Sequence, residues 1–274
     1  MRLIGLAVLC SAFLFAQDAR EIVLRSVKLD SDNYRIARNY TFVERNENRE
    51  LDAQGNLKQR HTLTYDLTML EGSPYRRLIA RDDKPLAPAE EKKEEEKLRK
   101  SNAERQKETP EQRAKRLADW EKRRREEREP LLEIPDAFDL RIAGEERVDG
   151  RDVWIVEGTP RRDYRAKSHE ARLFLKFKGR LWIDKQDYVW VKAECEALEN
   201  ISFGLVLARL QKGARMTFEQ ARVNDEVWLP KRVTVDLAAR LLLVKNIRAQ
   251  VEFTYKDYRK FQSESRLVDF EAPK

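Results

Sequence analysis

Arg232-Val233-Thr234-Val235-Asp236-Leu237-Ala238-Ala239-Arg240-Leu241 is followed, after a turn near Lys245-Asn246, by Ile247-Arg248-Ala249-Gln250-Val251-Glu252-Phe253-Thr254-Tyr255-Lys256. Apolar and polar residues alternate through both arms. Successive side chains of a strand point to opposite faces, so Val233, Val235, Leu237, Ala239 and Leu241 share one side. Ile247, Ala249, Val251, Phe253 and Tyr255 share one side of the second arm. This pattern predicts a hairpin with one face on a core and the other in water. Two strands this long, tightly joined, belong to a large curved antiparallel sheet.

Shorter signals of the same kind precede the hairpin. Strands are expected from Tyr40 to Glu44, over 57–70 and over 75–80, with turns at Asn46-Glu47-Asn48, Gln54-Gly55-Asn56 and Gly72-Ser73-Pro74. Further strands are expected over 138–148 and 153–157 around Asp149-Gly150, then over 180–184 and 188–197 around Lys185-Gln186-Asp187. Met216-Thr217-Phe218 leads into a turn at Asn224-Asp225. Residues 161–168, rich in bases, read as loop. No βαβ unit and no internal repeat is present.

Helices are expected in two places. Residues 18–29 carry Ile22, Val23 and Val27 at helical spacing, with Asp18 as the cap. Residues 81–129 hold 17 Lys or Arg and 15 Asp or Glu with few apolar residues. This segment reads as a charged helical hairpin inserted over 86–130. Its first helix starts near Pro88, and its second opens on the capping box Thr109-Pro110-Glu111-Gln112. Glu95–Arg99, Glu96–Lys100, Glu111–Lys115 and Glu121–Arg125 stand four apart, acid first, each worth about 0.2–0.5 kcal/mol on an isolated helix. Ala114, Leu117 and Trp120 form its one narrow apolar stripe. A solvated hairpin fits this composition better than a partner-binding arm.

The N-terminus begins Met1-Arg2 and continues with an apolar run to Ala16 before Gln17-Asp18. That reads as a secretory signal, residues 1–16, with cleavage expected after about Ala16. The run is short for a membrane span of about 20 residues. Leu9 before Cys10 is the wrong residue for lipid attachment. Cleavage leaves one cysteine, Cys195, and therefore no internal disulfide. The chain carries a net charge of +7 over 274 residues, with 41% hydrophobic and 38% charged residues. Export and the interleaving of the two signs argue against nucleic acid as a partner. A transient attraction to anionic membrane surfaces fits the charge.

Chemistry is sparse. His61 and His169 have no second ligand at metal spacing, so no metal site is expected. No nucleophile elbow, zinc-protease motif or phosphate-binding glycine loop occurs. No cofactor is implied, no catalytic residue is assigned, and the chain reads as a non-enzyme. Cys195 shares the apolar parity of its strand and reads as a structural thiol. Asp184, Glu194 and Glu196 form an acidic group that reads as solvated surface rather than as a glycosidase pair. Trp182, Tyr188 and Trp190 read as a layer buried under the first helix. Ile201, Phe203, Leu205 and Leu207 belong to an apolar run that reads as core packing or as the lip of an apolar cavity.

Several of these segments together resemble a known family. They are Tyr75-Arg76-Arg77-Leu78-Ile79-Ala80, Asp149-Gly150 with Val153-Trp154, and Gly179-Arg180-Leu181-Trp182-Ile183-Asp184. Val223-Asn224-Asp225-Glu226-Val227-Trp228-Leu229-Pro230 and Tyr255-Lys256-Asp257-Tyr258-Arg259-Lys260-Phe261 complete the set. The chain resembles the outer-membrane lipoprotein-sorting proteins of the LolA/LolB-like superfamily, best over 138–262. The resemblance implies a mainly β (α+β) fold: an incomplete antiparallel β-barrel closed by helices, spanning 17–274 and interrupted by the charged insertion. It implies a periplasmic carrier whose ligand is a lipid or lipidated protein. Phe42, Val233, Val235, Leu237, Leu241, Val251 and Phe253 are the expected lining of its acyl cavity. The alternative is a non-catalytic envelope interaction or sensor protein that binds a protein partner through 86–130.

Overall fold

The computed structural model describes residues 18–203, 208–241 and 245–261, the side chains of 203, 208–209, 239–241 and 245–247 excepted. The proposed signal peptide lies outside these residues. Helix α1 (Ala19–Ala37) opens the chain, with the Asp18 carboxylate accepting from Arg20 N–H at its cap. It runs well past the predicted end, because its second half finds tertiary partners.

Four strands follow: β1 (Tyr40–Leu51), β2 (Leu57–Leu70), β3 (Ser73–Arg81) and the short β4 (Lys84–Pro85). The turn expected at Asn46-Glu47-Asn48 does not form. These residues lie mid-strand, paired with β2 on one side and with the last strand on the other. Two flanking ladders satisfy every backbone group there and override the local turn preference of asparagine. The turn at Gly55 and the one ending at Gly72 do form, both glycines at positive φ.

The charged segment folds as α2 (Pro88–Gln106) and α3 (Pro110–Arg128). The capping box at Thr109 and Gln112 is formed in both directions. The four acid-first pairs expected on these helices are not. The pairs that form at this spacing run base first: Lys100–Glu104 (4.0 Å), Lys115–Asp119 (3.0 Å) and Lys122–Glu126 (3.7 Å). A short 3-10 turn (Glu129–Glu133) and α4 (Ile134–Ala137) return the chain to the sheet.

The second run of strands is β5 (Phe138–Val148), β6 (Arg151–Pro160), β7 (Phe177–Asp184) and β8 (Trp190–Ala197), with α5 (His169–Phe174) between β6 and β7. Short β9 (Ile201–Phe203) and β10 (Ala208–Leu210) precede β11 (Arg215–Val223), β12 (Val227–Leu241) and β13 (Lys245–Lys260). All pairings are antiparallel, in the order β4-β3-β2-β1-β13-β12-β11-β8-β7-β6-β5, with β10 paired to β12 and β9 to β10. The ends of this order do not pair, so the sheet is an incomplete barrel with helices laid against it. No helix among the described residues is long and apolar enough to cross a membrane.

Helix α1 positions everything else. Ile22, Val23 and Val27 bury against Trp154, Val156 and Ile183, with Leu140, Leu181, Tyr188 and Trp190 around them. Tyr188 and Trp190 therefore lie beneath α1 as expected. Trp182 does not: it faces the other side of the sheet with Val153, Val189, Val191 and Trp228. Strand parity separates it from its neighbours Leu181 and Ile183.

Candidate functional site

One row of the sheet shows how its inner face is built. Across the ladder, Val156 opposes Leu181, then come Ala193, Phe218, Val233, Phe253, Asn46 and Leu63. Directly opposed residues share a face. The face that carries Val156 under α1 therefore continues, almost wholly apolar, to β2. The next row holds Cys195, Met216, Val235 and Val251, and the row after it pairs Leu237 with Ala249. Phe42 lies on the same face, its ring edge-on to Tyr255 (5.3 Å between centroids) and to Tyr258 (5.9 Å).

The two halves of this face differ in cover. Beneath α1, Val156 and Ile183 are 0% exposed. On β11, β12, β13, β1 and β2 the same face is not sealed: Phe218, Val233, Val235, Leu237, Val251, Phe253 and Leu63 are all half-buried. Six of the seven proposed lining residues thus come together on one face. The side chain of Leu241 lies outside the described residues. Of the expected lip, Ile201 is buried in a cluster with Ala197 and Ala214, packed by Leu173, Phe177 and Leu210. Phe203, Leu205 and Leu207 fall outside the described side chains.

Helices α1 and α3 border the unsealed half. β12 and β13 pair only from Arg232 and Thr254 onward, so the first residues of β12 splay from the last of β13. The second half of α1 occupies that gap. The Asn33 amide donates to Trp228 O (2.8 Å) and accepts from Trp228 N–H (2.7 Å), replacing the missing strand neighbour. Tyr40, Val227 and Leu229 fill the space beneath Ala37 and Tyr258. α3 then spans from α1 to the β2–β3 turn. At one end Arg128 pairs with the buried Asp30, and the Arg124 and Arg128 guanidiniums stack on Tyr34. At the other end Arg116 donates to Ser73 Oγ (2.6 Å) and Glu71 O (3.0 Å). Arg105 donates to the carbonyls of Leu70 (2.8 Å) and Ser73 (3.0 Å). Neither α2 nor α3 buries a residue of its own. Sequence reading missed this docking because arginine contacts to backbone carbonyls leave no period in the sequence.

The opposite face is polar. It carries a pocket of about 260 Å³ lined by Glu47, Arg49, Arg232, Thr234, Asp236 and Glu252 among others. Its charges largely neutralise one another: Glu47 pairs with Arg45 (2.5 Å) and with Arg49, and Glu252 with Arg232. Burial pushes the Glu47 carboxyl up, but hydrogen bonds from the two arginines outweigh it and hold the group below the usual range. A pocket of this kind offers nothing to an acyl chain.

The other candidate groups are structural. Asp184 is 0% exposed and sits inside the β7–β8 turn. It accepts from Arg151 (2.5 and 2.9 Å) and from the backbone N–H groups of Gln186 and Asp187. Glu194 pairs with Lys192, and Glu196 with Lys178 and Arg215. The three acids therefore do not form the exposed group expected of them, because Asp184 is consumed by its own turn. Burial pushes the Cys195 thiol up to about 11, which keeps it neutral and unreactive. Among the described residues no group of three or more His, Cys, Asp or Glu side chains is placed to hold a metal ion.

No family model and no curated protein sequence matches this chain. Solved structures do. An outer membrane lipoprotein-sorting protein domain from Vibrio parahaemolyticus is 12% identical with a TM-score of 0.36, covering 91% of this chain and 97% of its own. A LolA superfamily protein from Nitrosomonas europaea is 9% identical with a TM-score of 0.34, covering 89% and 93%. The MucA/MucB complex of Pseudomonas aeruginosa includes a chain 13% identical with a TM-score of 0.24, covering 90% and 100%. Solved structures similar to this chain thus include outer-membrane lipoprotein-sorting and LolA-superfamily proteins, at scores that leave its ligand and partner to be argued from its own residues.

Proposed function

We propose that this protein is a non-catalytic periplasmic carrier that binds the acyl chains of a lipid or lipidated protein on the unsealed half of its inner face. One observation carries the reading. A single apolar face is sealed under α1 at one end and left half-buried from β11 to β2, on the very residues whose alternation is strictest. An apolar face left open in this way is a binding surface more often than an accident. An acyl chain laid on it gains about 0.8 kcal/mol per buried methylene, enough for binding without nucleotide or covalent chemistry.

The helical pair suits a gate. It is fastened at its ends by Arg128 on the buried Asp30 and by Arg105 and Arg116 on the β2–β3 turn. Displacing it would uncover no apolar core of its own. The charged pair also supports a second reading, a protein partner bound through 86–130, since α2 and α3 present nearly all their charges to solvent. Deleting 86–130 separates the two: the carrier keeps acyl uptake, and the interaction protein loses its partner.

Uptake of a fluorescent fatty-acid analogue by delipidated protein tests the carrier directly. Leu237→Arg puts a charge on the apolar face and should abolish uptake. Thr234→Arg puts the same charge on the opposite face and should leave uptake intact. Equal loss in both variants, or no uptake by the parent protein, ends the proposal.

A further inference from the structure

We infer that the loop from Arg161 into α5, together with Leu132, is a docking surface for an anionic phospholipid bilayer. Most bases among the described residues have an acidic partner, as Arg20, Arg151 and Lys260 do. Within the same loop Arg161 is held by Asp163 (3.0 Å), and on the adjoining strands Arg141 and Arg180 share Glu157. Arg162, Arg165, Lys167 and Arg172 are exposed and have no ion-pair partner among the described residues. Residues 161–172 hold five bases against two acids, and one of those acids, Asp163, is already paired.

The segment is built rather than loose. The Glu133 carboxylate, only 7% exposed, accepts from Tyr164 O–H (2.7 Å) and from Lys167 N–H (3.1 Å). That bond to Glu133, with some burial, pushes the Tyr164 phenol up to about 12 and keeps it a donor. Arg161 N–H donates to Ala137 O (2.9 Å), and Ala171 of α5 is buried. The bases are therefore fixed against the Glu129–Glu133 turn. Leu132, the residue before Glu133, is 55% exposed, one of three large apolar side chains so placed among the described residues.

Unpaired bases beside a protruding leucine match a phospholipid surface in two ways. The bases meet anionic headgroups, and the leucine enters the interface. A nucleic acid would have no use for the leucine, and an acidic protein patch would need a complementary shape that a single protruding side chain does not supply. This surface lies outside the acyl face and does not depend on acyl uptake.

Sedimentation of the full chain with vesicles tests the inference. Phosphatidylglycerol-rich vesicles should bind the protein, added salt should release it, and pure phosphatidylcholine vesicles should bind it far less. Each base near the surface contributes about fivefold in affinity, so Arg162→Ser/Arg165→Ser/Lys167→Ser should weaken binding about a hundredfold. Leu132→Ser should weaken it about tenfold or more by removing a buried leucine. Lys92→Ser/Lys93→Ser/Arg99→Ser on α2 removes equal charge elsewhere and should retain binding. Thermal unfolding confirms that each variant is folded. Leu237→Arg should bind vesicles like the parent whether or not it takes up fatty acid. Absence of binding to phosphatidylglycerol, equal binding to phosphatidylcholine, or equal losses from the loop and α2 triples overturns the inference.

Discussion

Phe253→Ala and Ile183→Ala are a matched pair of perturbations on one continuous face. Ile183 is 0% exposed beneath α1, and truncating it leaves a closed cavity. The expected cost is about 2–5 kcal/mol. Phe253 sits in the open row between Val233 and Asn46 and is half-buried. In a closed core its truncation would cost about 3–5 kcal/mol. Here about half of the ~1.5–3 kcal/mol transfer value of a buried phenylalanine is at stake, and the space left opens to solvent. The expected cost is therefore about 1 kcal/mol, although phenylalanine is the larger side chain. Urea unfolding of delipidated protein measures both, with an unchanged slope confirming that only stability moved. If Phe253→Ala costs as much as Ile183→Ala, the face is a filled core and the reasoning fails.

Asn33→Ala removes two hydrogen bonds from Trp228 and leaves a backbone N–H and C=O facing the splayed end of β12. A loss of about 2 kcal/mol is expected, and hydrogen exchange should quicken at residues 227–229 before it does in β6 or β7. Glu47 has its carboxyl held below the usual range, so the folded state binds its proton more weakly than the unfolded chain does. Its contribution to stability is present above the ordinary carboxylate range near 4 and is lost as pH falls through the folded value. Glu47→Gln should accordingly flatten the acid limb of a Tm-against-pH curve; an unaltered limb counts against the Arg45–Glu47–Arg49 network. Arg128→Met leaves Asp30 buried without its cation, so α3 should lose exchange protection while the β12–β13 hairpin keeps its own.

What could be read from the sequence was whatever repeats. Period-two alternation over 233–255 placed the longest hairpin and the parity of Val233, Val235, Leu237, Val251 and Phe253. Ile22, Val23 and Val27 placed α1, and the capping box placed α3. Features set by partners distant in sequence were not legible. Asn46, Glu47 and Asn48 look like a turn until β2 and β13 lie on either side of them. Trp182 and Trp190 look alike in parity until a shift between Trp182 and Ile183 in their pairing with β8 sets Trp190 opposite Ile183, on the face that Trp182 does not share. Asp184 looks exposed until Arg151 closes over it. Which half of the apolar face stays uncovered depends on where α1 runs, and no local pattern encodes that.

The most direct measurement is mass spectrometry of lipid extracted from the protein purified out of its native envelope. The account predicts acyl-chain lipid at near-stoichiometric amount in the parent protein and its loss in Leu237→Arg, with Thr234→Arg unchanged. Protein that carries no lipid, or that carries equal amounts in all three forms, contradicts it.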